Sequence, residues 1–242
     1  MSTAAVLNPD QLRALAESGA EELAWDAPAE EVVAWVAAHF DTPDVAVACS
    51  MQDAVLPALV ADQVPGVDVL FLETGYHFAE TIAARNDVEH RLNVRIVDVQ
   101  PKLTVEEQDE QYGKDLFARD PAACCRMRKM EPLGQTLSGY RVWFTGVRRD
   151  EAPTRSGTPL ITWDEMHGLV KVNPLATWSF DDLVGYAADH DVPVNMLLQH
   201  GYPSIGCKPC TRPVAPGEDP RSGRWAGTGK VECGIHTTDS TS

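Results

Sequence analysis

Four of the six cysteines in this 242-residue chain fall into two close pairs. Cys124 and Cys125 are adjacent, whereas two residues separate Cys207 from Cys210. Four thiolates supplied as two pairs suit a tetrahedral zinc ion or an iron–sulfur cluster, and a Cys-X-X-Cys pair also fits a redox dithiol. Because about two to four residues usually separate paired zinc ligands, the adjacent pair favours a cluster over zinc.

A fifth cysteine, Cys233, lies in the sequence Glu232-Cys233-Gly234-Ile235-His236 near the end of the chain. A flanking glycine and a histidine close by give this thiol the access that a nucleophile needs. Only the thiolate attacks, and nearby cations lower a cysteine pKa from its usual value of about 8.5. An incidental surface thiol is the alternative interpretation.

Positively charged residues cluster near these cysteines. If residues 124–129 are helical, Lys129 lies on the same face as Cys125. Arginine forks and a lysine point charge suit the oxygens of phosphate or sulfate, although any one of these residues alone fits a solvated surface charge. Their clustering therefore predicts an anion site. The residues concerned are Arg126, Arg128, Lys129, Arg148, Arg149, Arg221 and Arg224.

The net charge of the chain, 20 − 36 = −16, argues against a general binder of nucleic acid or of anionic membranes. The whole excess of acid lies in residues 1–118, which contain 6 Lys and Arg against 22 Asp and Glu. Residues 119–242 contain 14 of each and are neutral overall. A local basic site for an anionic ligand is therefore compatible with the acidic total.

The chain has the composition of a globular protein, with 44% hydrophobic and 23% charged residues. Its first ten residues contain neither a basic segment nor an apolar core of the kind that directs secretion. No stretch approaches the roughly 18 apolar residues of a membrane span. We therefore expect a cytoplasmic protein, whose reduced cysteines serve metal binding or catalysis rather than disulfides.

Strand-like and helix-like segments alternate along the first 200 residues. Short β-branched runs predict strands, and apolar periodicity with Asn8 and Ser179 as caps predicts helices. This alternation predicts an α/β fold, a mostly parallel sheet with helices on both faces and ligands at the carboxyl ends of its strands. Irregular sequence from Gly201 predicts a tail, residues 201–242, after a domain of residues 1–200. The predicted strands are 45–49, 67–72, 94–99, 141–145, 159–163 and 169–173, and the predicted helices are 9–24, 28–40, 53–62, 78–91, 121–137 and 180–190.

Two turns after predicted strands carry polar residues suited to a nucleotide. Residues 50–53, beginning with Ser50, follow the first strand and open a helix, where free amide groups can hold an anion. Residues 73–75, with Thr74 at their centre, end the second strand and could contact a ribose or a base. Either turn taken alone is more often a simple strand-to-helix connection.

Five segments, taken in order, resemble the motifs of the iron–sulfur adenosine 5′-phosphosulfate (APS) reductases of the phosphoadenosine phosphosulfate (PAPS) reductase family. The resemblance runs from about residue 40 to residue 236. PAPS reductases keep the last motif but lack the four paired cysteines, so the resemblance favours APS as the substrate. The segments are LETGYH (72–77), CCRMRK (124–129), TGVRRDE (145–151), CKPCTR (207–212) and ECGIH (232–236).

The resemblance implies an adenine nucleotide alpha hydrolase-like fold, as in the PP-loop ATPases, and a 4Fe-4S cluster on Cys124, Cys125, Cys207 and Cys210. It also implies that Cys233 attacks the sulfur of APS, releasing AMP and leaving an S-sulfocysteine. Thioredoxin then attacks Cys233 and frees sulfite, which is the thioredoxin-dependent adenylyl-sulfate reduction of sulfate assimilation and cysteine biosynthesis. The cluster is not expected to carry the electrons.

The same resemblance assigns roles to the cations. Fixed positive charges aimed at the leaving phosphate stabilise the transition state. Lys129 matches the position between cluster and substrate. Arg221, Arg224 and His236 match tail positions that close over the phosphosulfate. The matches to the arginine loop and to the nucleotide pocket are Arg148, Arg149, Ser50 and Thr74.

Two features depart from the family pattern or lie outside it. The loop at residues 50–53 reads Ser-Met-Gln-Asp, unlike the glycine-rich SGGxDS loop of true ATPases. It is therefore not expected to grip pyrophosphate. Cys49 matches no family ligand and is interpreted as a buried strand-end thiol, because a free cysteine usually behaves as a small hydrophobic residue.

Several alternatives stay open from the sequence. A PAPS reductase or a dual-specificity enzyme would differ in the nucleotide that it turns over. A non-catalytic iron–sulfur sensor of nucleotides would keep its function without Cys233. A zinc-stabilised nucleotide-binding module would be colourless, since four cysteines can hold either metal. The sequence also leaves the oligomeric state open, a homo-oligomer included.

Overall fold

The sheet of this protein is mostly parallel, as predicted. The structure is a computed structural model that describes residues 7–226 together with residues 228, 230, 232, 234 and 235. Within these residues, six strands have the spatial order β3-β2-β1-β4-β6-β5, and of these only β5 runs antiparallel to its neighbour. The strands are β1 (Val45–Ala48), β2 (Val67–Leu72), β3 (Val94–Val99), β4 (Val142–Phe144), β5 (Ile161–Asp164) and β6 (Leu169–Val172).

The helices agree with the predicted segments to within a few residues at their ends. The predicted helix over 121–137 is a correction, because a π-helical segment, Arg126–Met130, separates α7 from α8. Two helices, α5 and α6, lie in a region for which we predicted neither a helix nor a strand. The helices are α1 (Pro9–Glu22), α2 (Ala29–His39), α3 (Val55–Ala61), α4 (Ala79–Arg91), α5 (Val105–Tyr112), α6 (Leu116–Arg119), α7 (Pro121–Cys125), α8 (Glu131–Leu137) and α9 (Phe180–Asp189).

Helices cover both faces of the sheet because its central strands are apolar on both sides. Val45 and Val47 of β1 pack in a large core with residues of α1, α2, α3, α4 and α9. Ala46, between them, points to the opposite face and packs with Leu133 and Leu137 of α8. A strand buried on both faces reads as a continuous apolar run rather than an alternating one.

Side-chain caps fix the start of two predicted helices. Asn8 accepts a hydrogen bond from the Gln11 amide at 3.0 Å, and Ser179 accepts one from the Asp182 amide at 3.1 Å. Each cap satisfies an amide group that has no partner inside its helix. Both predicted caps are confirmed. None of the helices in the described ranges has the length and apolar character that crossing a membrane requires.

The strand order creates a crevice between β1 and β4. The chain builds β2 and β3 on one side of β1 and then returns to place β4 on the other side. At such a switch point the connections leave the two strand ends in opposite directions, and ligands bind in the gap outside the carboxyl ends. The tail returns to this end of the sheet through a short 3-10 turn, Lys208–Cys210, and a bridge between Thr211 and Arg224.

Candidate active site

A cleft of about 200 Å³ lies at the carboxyl ends of β1, β2 and β4. Its wall includes Ser50 after β1, Leu72 at the end of β2 and Gly146 after β4. This is the position that the strand order predicts for a ligand. The cations in its lining are Lys129, Arg148, Arg155, Arg221 and Arg224.

The turn after β1 is held by side chains rather than by a glycine-rich loop. Met51 is fully buried and adopts a left-handed conformation with φ of 58°. Asn195 donates to the Met51 carbonyl at 3.1 Å, and the side chain of Gln52 accepts from the Ile205 amide at 3.0 Å. The turn therefore has a fixed shape that presents Ser50 to the cleft.

Two titratable groups in this turn face the cleft. Burial raises the pKa of Asp53 to about 6, and the Val55 amide and the Arg148 charge offset only part of that increase. Burial also raises the pKa of the Cys49 thiol to about 12, with the negative charge of Asp53 adding to the effect. Cys49 is half-buried against the core and also lines the cleft, so it is less buried than the sequence interpretation had it, and it is a neutral thiol at neutral pH.

The two consecutive arginines after β4 point in different directions. Arg148 is buried, lines the cleft and lies near Asp150 at 3.2 Å and Glu151 at 3.4 Å. Arg149 instead lies outside the cleft lining, with its guanidinium 3.7 Å from the ring centre of Trp25. Arg149 begins a 3-10 turn whereas Arg148 is still extended, so the side chains diverge. The expected contact of Arg149 with a substrate finds no support in this geometry.

Arg155 is a cleft residue that sequence reasoning missed. It is buried, and it bonds to Glu151 and to Glu232 of the tail. Its spacing of four residues from Glu151 is a pattern for ion pairs on a helical turn, and that spacing was the available sequence signal. Its guanidinium brings a fifth cation to the cleft.

All four paired cysteines border one second cavity beside the cleft. Cys124 and Cys125 come from α7, and Cys207 precedes a 3-10 turn of the tail that ends at Cys210. The amide of Lys208 donates to the Tyr76 carbonyl at 2.7 Å and so fixes the tail turn against the end of β2. The structure thus brings together two pairs that lie about 80 residues apart in sequence.

The chemistry of this cavity fits a cluster held by thiolates. Burial raises the pKa of Cys124 to about 11, and the charges of Cys207 and Cys210 add to that increase. A soft metal centre would replace these protons, since thiolates rather than thiols bind metals. Among the described residues, no three His, Cys, Asp or Glu side chains converge on one position for a single metal ion. Four sulfur donors around one cavity nevertheless match the ligand set of a cluster.

Thr74 lies at the cysteine cavity rather than in the cleft lining. Its hydroxyl is 3.4 Å from the sulfur of Cys207 and accepts from the Tyr76 amide at 3.2 Å. The residue is 1% exposed. Its expected role in the nucleotide pocket finds no support in this position, which places it next to a predicted cluster ligand.

Arg128 anchors the cysteine-bearing helix and does not face the cleft. Its guanidinium donates to the Thr74 carbonyl, to the Leu103 carbonyl at 3.2 Å and to the side chain of Gln108 at 3.1 Å. Gln108 is fully buried on α5. A buried charge needs several such partners, so Arg128 ties the segment after Cys125 to the turn after β2.

Three residues belong to the walls of both cavities: Lys129, Cys207 and Arg224. Lys129 lies in the π-helical segment that follows the cysteine pair. Arg224 donates to the Ser204 hydroxyl at 3.0 Å and to the Ile205 carbonyl at 3.2 Å, which fixes its guanidinium. The structure therefore places a lysine and an arginine in the wall between the cysteine cavity and the cleft. The resemblance implies this position for Lys129, and its role in the reaction stays a prediction.

The tail contributes to the same cleft. Arg221 and Ile235 line it, and Glu232 joins Arg221 to Arg155. The predicted nucleophile Cys233 and the predicted contact His236 lie outside the described residues.

Sequence comparison with known proteins identifies the family of this chain. Residues 43–213 match the phosphoadenosine phosphosulfate reductase domain. An adenosine 5′-phosphosulfate reductase of Mycolicibacterium smegmatis is 57% identical over 229 residues, covering 95% of this chain and 96% of that protein. The enzyme of the same name from Mycobacterium tuberculosis is 51% identical over 248 residues, covering 96% and 97%.

Solved structures share the fold at lower identity. The phosphoadenylyl-sulfate reductase of Candida auris superposes with a TM-score of 0.65 at 24% identity, covering 87% of this chain and all of that one. An FMN adenylyltransferase of Candida glabrata gives 0.54 at 12% identity, covering 85% and 74%. These likenesses confirm the predicted adenine nucleotide alpha hydrolase-like fold. The sequence matches go further: the chain belongs to the phosphoadenosine phosphosulfate reductase family and groups with its adenosine 5′-phosphosulfate reductases, which are oxidoreductases.

Proposed function

We propose that this protein reduces APS to sulfite and AMP with thioredoxin as electron donor, in the cytoplasmic assimilation of sulfate towards cysteine. The observation that carries the proposal is the cleft at the β1/β4 switch point. Five cations line it, and it shares a wall with the cavity of the four cysteines. APS presents a phosphate and a sulfate at one end and an adenosine at the other, which suits a cleft that combines cations with apolar strand ends.

In the proposed reaction the thiolate of Cys233 attacks the sulfur of APS. A sulfur–sulfur bond forms, the bond from sulfur to the bridging oxygen breaks, and AMP leaves with the electron pair. A thioredoxin thiolate then attacks Cys233, sulfite leaves, and the second thioredoxin thiol resolves the mixed disulfide. Two electrons pass from the thioredoxin dithiol to the sulfonate, and Cys233 returns to its thiolate.

The cations of the cleft act on the leaving group in this proposal. Negative charge gathers on the phosphate of AMP as the bond breaks, and positive charges held in place beforehand stabilise that state most. Arg148 is held by two carboxylates, and Arg224 by a hydroxyl and a carbonyl. Because these side chains are already oriented, little reorganisation is needed during the reaction.

Cys124, Cys125, Cys207 and Cys210 would hold the 4Fe-4S cluster. When bound, the cluster would supply a fixed charge distribution beside the cleft and would not carry the electrons of the reaction. Lys129 and Arg224 lie in the wall between the two sites, so their positive charges would offset negative charge from both sides. Anaerobic purification should give a brown protein with about four irons per chain, whereas a colourless protein with one zinc would contradict this assignment.

The decisive experiment mixes the protein with APS in the absence of thioredoxin and measures the intact mass. We expect one sulfonate adduct on Cys233 and release of one AMP for each chain. The variant Cys233→Ser should bind APS, acquire no adduct and release no sulfite when thioredoxin is added. An adduct on another residue, or sulfite release by Cys233→Ser, would overturn the mechanism. Steady-state rates on APS and on PAPS measure the nucleotide preference, which we expect to favour APS.

A further inference from the structure

A glutamate of the tail, Glu232, is held by two arginines at the edge of the cleft. Arg155 donates to both of its carboxylate oxygens, at 3.0 and 2.9 Å, and Arg221 donates to one of them at 2.9 Å. The hydroxyl of Thr154 lies 3.3 Å from the same carboxylate. The side chains of Arg155, Glu232 and Arg221 are only 10%, 14% and 14% exposed. Paired, charge-assisted hydrogen bonds of this kind are stronger than exposed ion pairs.

The side chains that bind the Glu232 carboxylate come from the domain as well as from the tail. Arg155 follows β4 in sequence and is itself fixed by Glu151, which also lies 3.4 Å from Arg148. The groups that face Glu232 are thus two arginines, a threonine and, behind Arg155, one carboxylate. Because Arg155 is already oriented, docking of the glutamate orders only its own side chain and the tail.

The residues after Cys233 are also fitted to the domain. A Cβ atom at Gly234 would lie 2.5 Å from the sulfur of Met130, so glycine permits the tail to approach the π-helical segment closely. Ile235 packs at the margin of the core between the sheet and α8 and lines the cleft. Glu232, Gly234 and Ile235 therefore each contact the domain, and the first two of them directly precede and follow Cys233 in sequence.

We propose that Glu232 is a positioning residue, whose ion pair with Arg155 and Arg221 holds the tail over the cleft for attack by Cys233. The proposal rests on the function proposed for Cys233. It explains why an acidic residue precedes a nucleophile that must meet an anionic substrate: its charge is neutralised by two arginines. Thioredoxin needs access to Cys233, so the ion pair of Glu232 with Arg155 and Arg221 must break between the two half-reactions.

The first test measures docking of the tail without thiol chemistry. Trypsin can cleave after Lys230, and the rate at which it releases residues 231–242 from the native, cluster-containing protein reports an undocked tail. We expect Glu232→Ala to raise that rate about tenfold, equivalent to about 1.4 kcal/mol, and Glu232→Gln to raise it less. Glu218→Ala removes an exposed carboxylate of the same tail and should leave the rate unchanged. An unchanged cleavage rate for Glu232→Ala would refute the proposal that Glu232 docks the tail.

The second test separates the two half-reactions. At saturating APS, Glu232→Ala should form the sulfo-enzyme about tenfold more slowly, while AMP affinity and thioredoxin-driven sulfite release stay as in the wild type. The double variant Arg155→Met/Glu232→Ala should be slowed by less than the product of the two single-variant effects, since the two substitutions share the Arg155–Glu232 contact. Additive effects, or equal slowing of both half-reactions, would refute a positioning role.

The outcomes also separate this proposal from the proposed function. If the wild-type protein forms no adduct with APS, the proposed function fails, and the trypsin rates still show whether Glu232 docks the tail. If the wild type and Glu232→Ala form the adduct at the same rate, the function stands and the positioning role of Glu232 is refuted.

Discussion

Replacement of Asp53 by asparagine should stabilise the protein at neutral pH and have no effect in acid. The carboxyl group lies in the turn after β1, where burial raises its pKa from the usual 3.8 to about 6. Its hydrogen bond from the Val55 amide, 3.2 Å long, can be kept by the asparagine oxygen. The variant therefore removes the charge and leaves the shape of the turn intact.

The size of the effect follows from the pKa. Each pH unit by which a carboxyl pKa rises on folding corresponds to about 1.4 kcal/mol lost from the stability of the ionised protein. The increase at Asp53 gives an upper value of about 3 kcal/mol, and exposure to the open cleft reduces it to roughly 1 to 2 kcal/mol. Because the folded pKa is the higher one, this destabilisation is absent below pH 3.8, grows as the pH rises and is complete above pH 6.

Urea unfolding under anaerobic conditions at pH 4, 6 and 8 measures the difference. The free energies of unfolding of Asp53→Asn and the wild type should agree at pH 4 within about 0.5 kcal/mol and separate by roughly 1 to 2 kcal/mol at pH 8. Asp62→Asn, a change on an exposed turn at the end of α3, is a matched control that should show no such trend. A constant difference at all three pH values, or a less stable Asp53→Asn at pH 8, would show that the reasoning about burial is wrong.

Three further substitutions test the cysteine site and the tail. Arg128→Met should lower the free energy of unfolding by about 3 kcal/mol and reduce iron per chain, because buried acceptors lose their donor; equal iron content would contradict the anchoring role. Gly223→Ala would press a Cβ against the Arg212 carbonyl, so tryptic cleavage of the tail should accelerate, and an unchanged rate would exclude the clash. Thr74→Val removes the hydroxyl beside Cys207 and should shift the absorption spectrum of the cluster, whereas Thr74→Ser should not.

The strands were predictable because their physical cause is local. The β2 and β3 runs, residues 67–72 and 94–99, agree with the predicted bounds, since β-branched residues in a short apolar run favour an extended chain. The parallel arrangement followed from the alternation with helices, and the alternation fixed the cleft at the strand ends. Motif spacing likewise identified the cysteine pairs without any knowledge of how the tail returns to the domain.

The interruption of the predicted 121–137 helix had one local signal, Pro132, which has no amide hydrogen to donate within a continuous helix and lies at the start of α8. The contacts of the segment before it are distant in sequence. The π-helical segment contains Arg128, whose partners are the Thr74 and Leu103 carbonyls and Gln108. Helix periodicity in one segment carries no information about acceptors on other elements. A widened turn at a functional segment is a recurrent exception to regular helical geometry.

The directions of the two consecutive arginine side chains could not be predicted from the sequence either. Arg148 and Arg149 are the same residue type one position apart, and only the start of a 3-10 turn decides which one enters the cleft. Arg155 was missed for the complementary reason. Its role depends on Glu232, 77 residues further along the chain, and no local pattern joins the two.

The net charge of the chain does not reveal this anion site, and the same reason applies to anion sites in other acidic proteins. Carboxylates accompany the cations of the cleft: Glu151 contacts both Arg148 and Arg155, and Glu232 joins Arg155 to Arg221. These acids cancel the arginines in any sum, yet they hold each guanidinium in place and limit repulsion among the cations. An incoming phosphate or sulfate then meets donors that are already oriented, and orientation rather than net charge determines how strongly such a site stabilises an anion. A chain with a net charge of −16 can therefore carry a strong anion site.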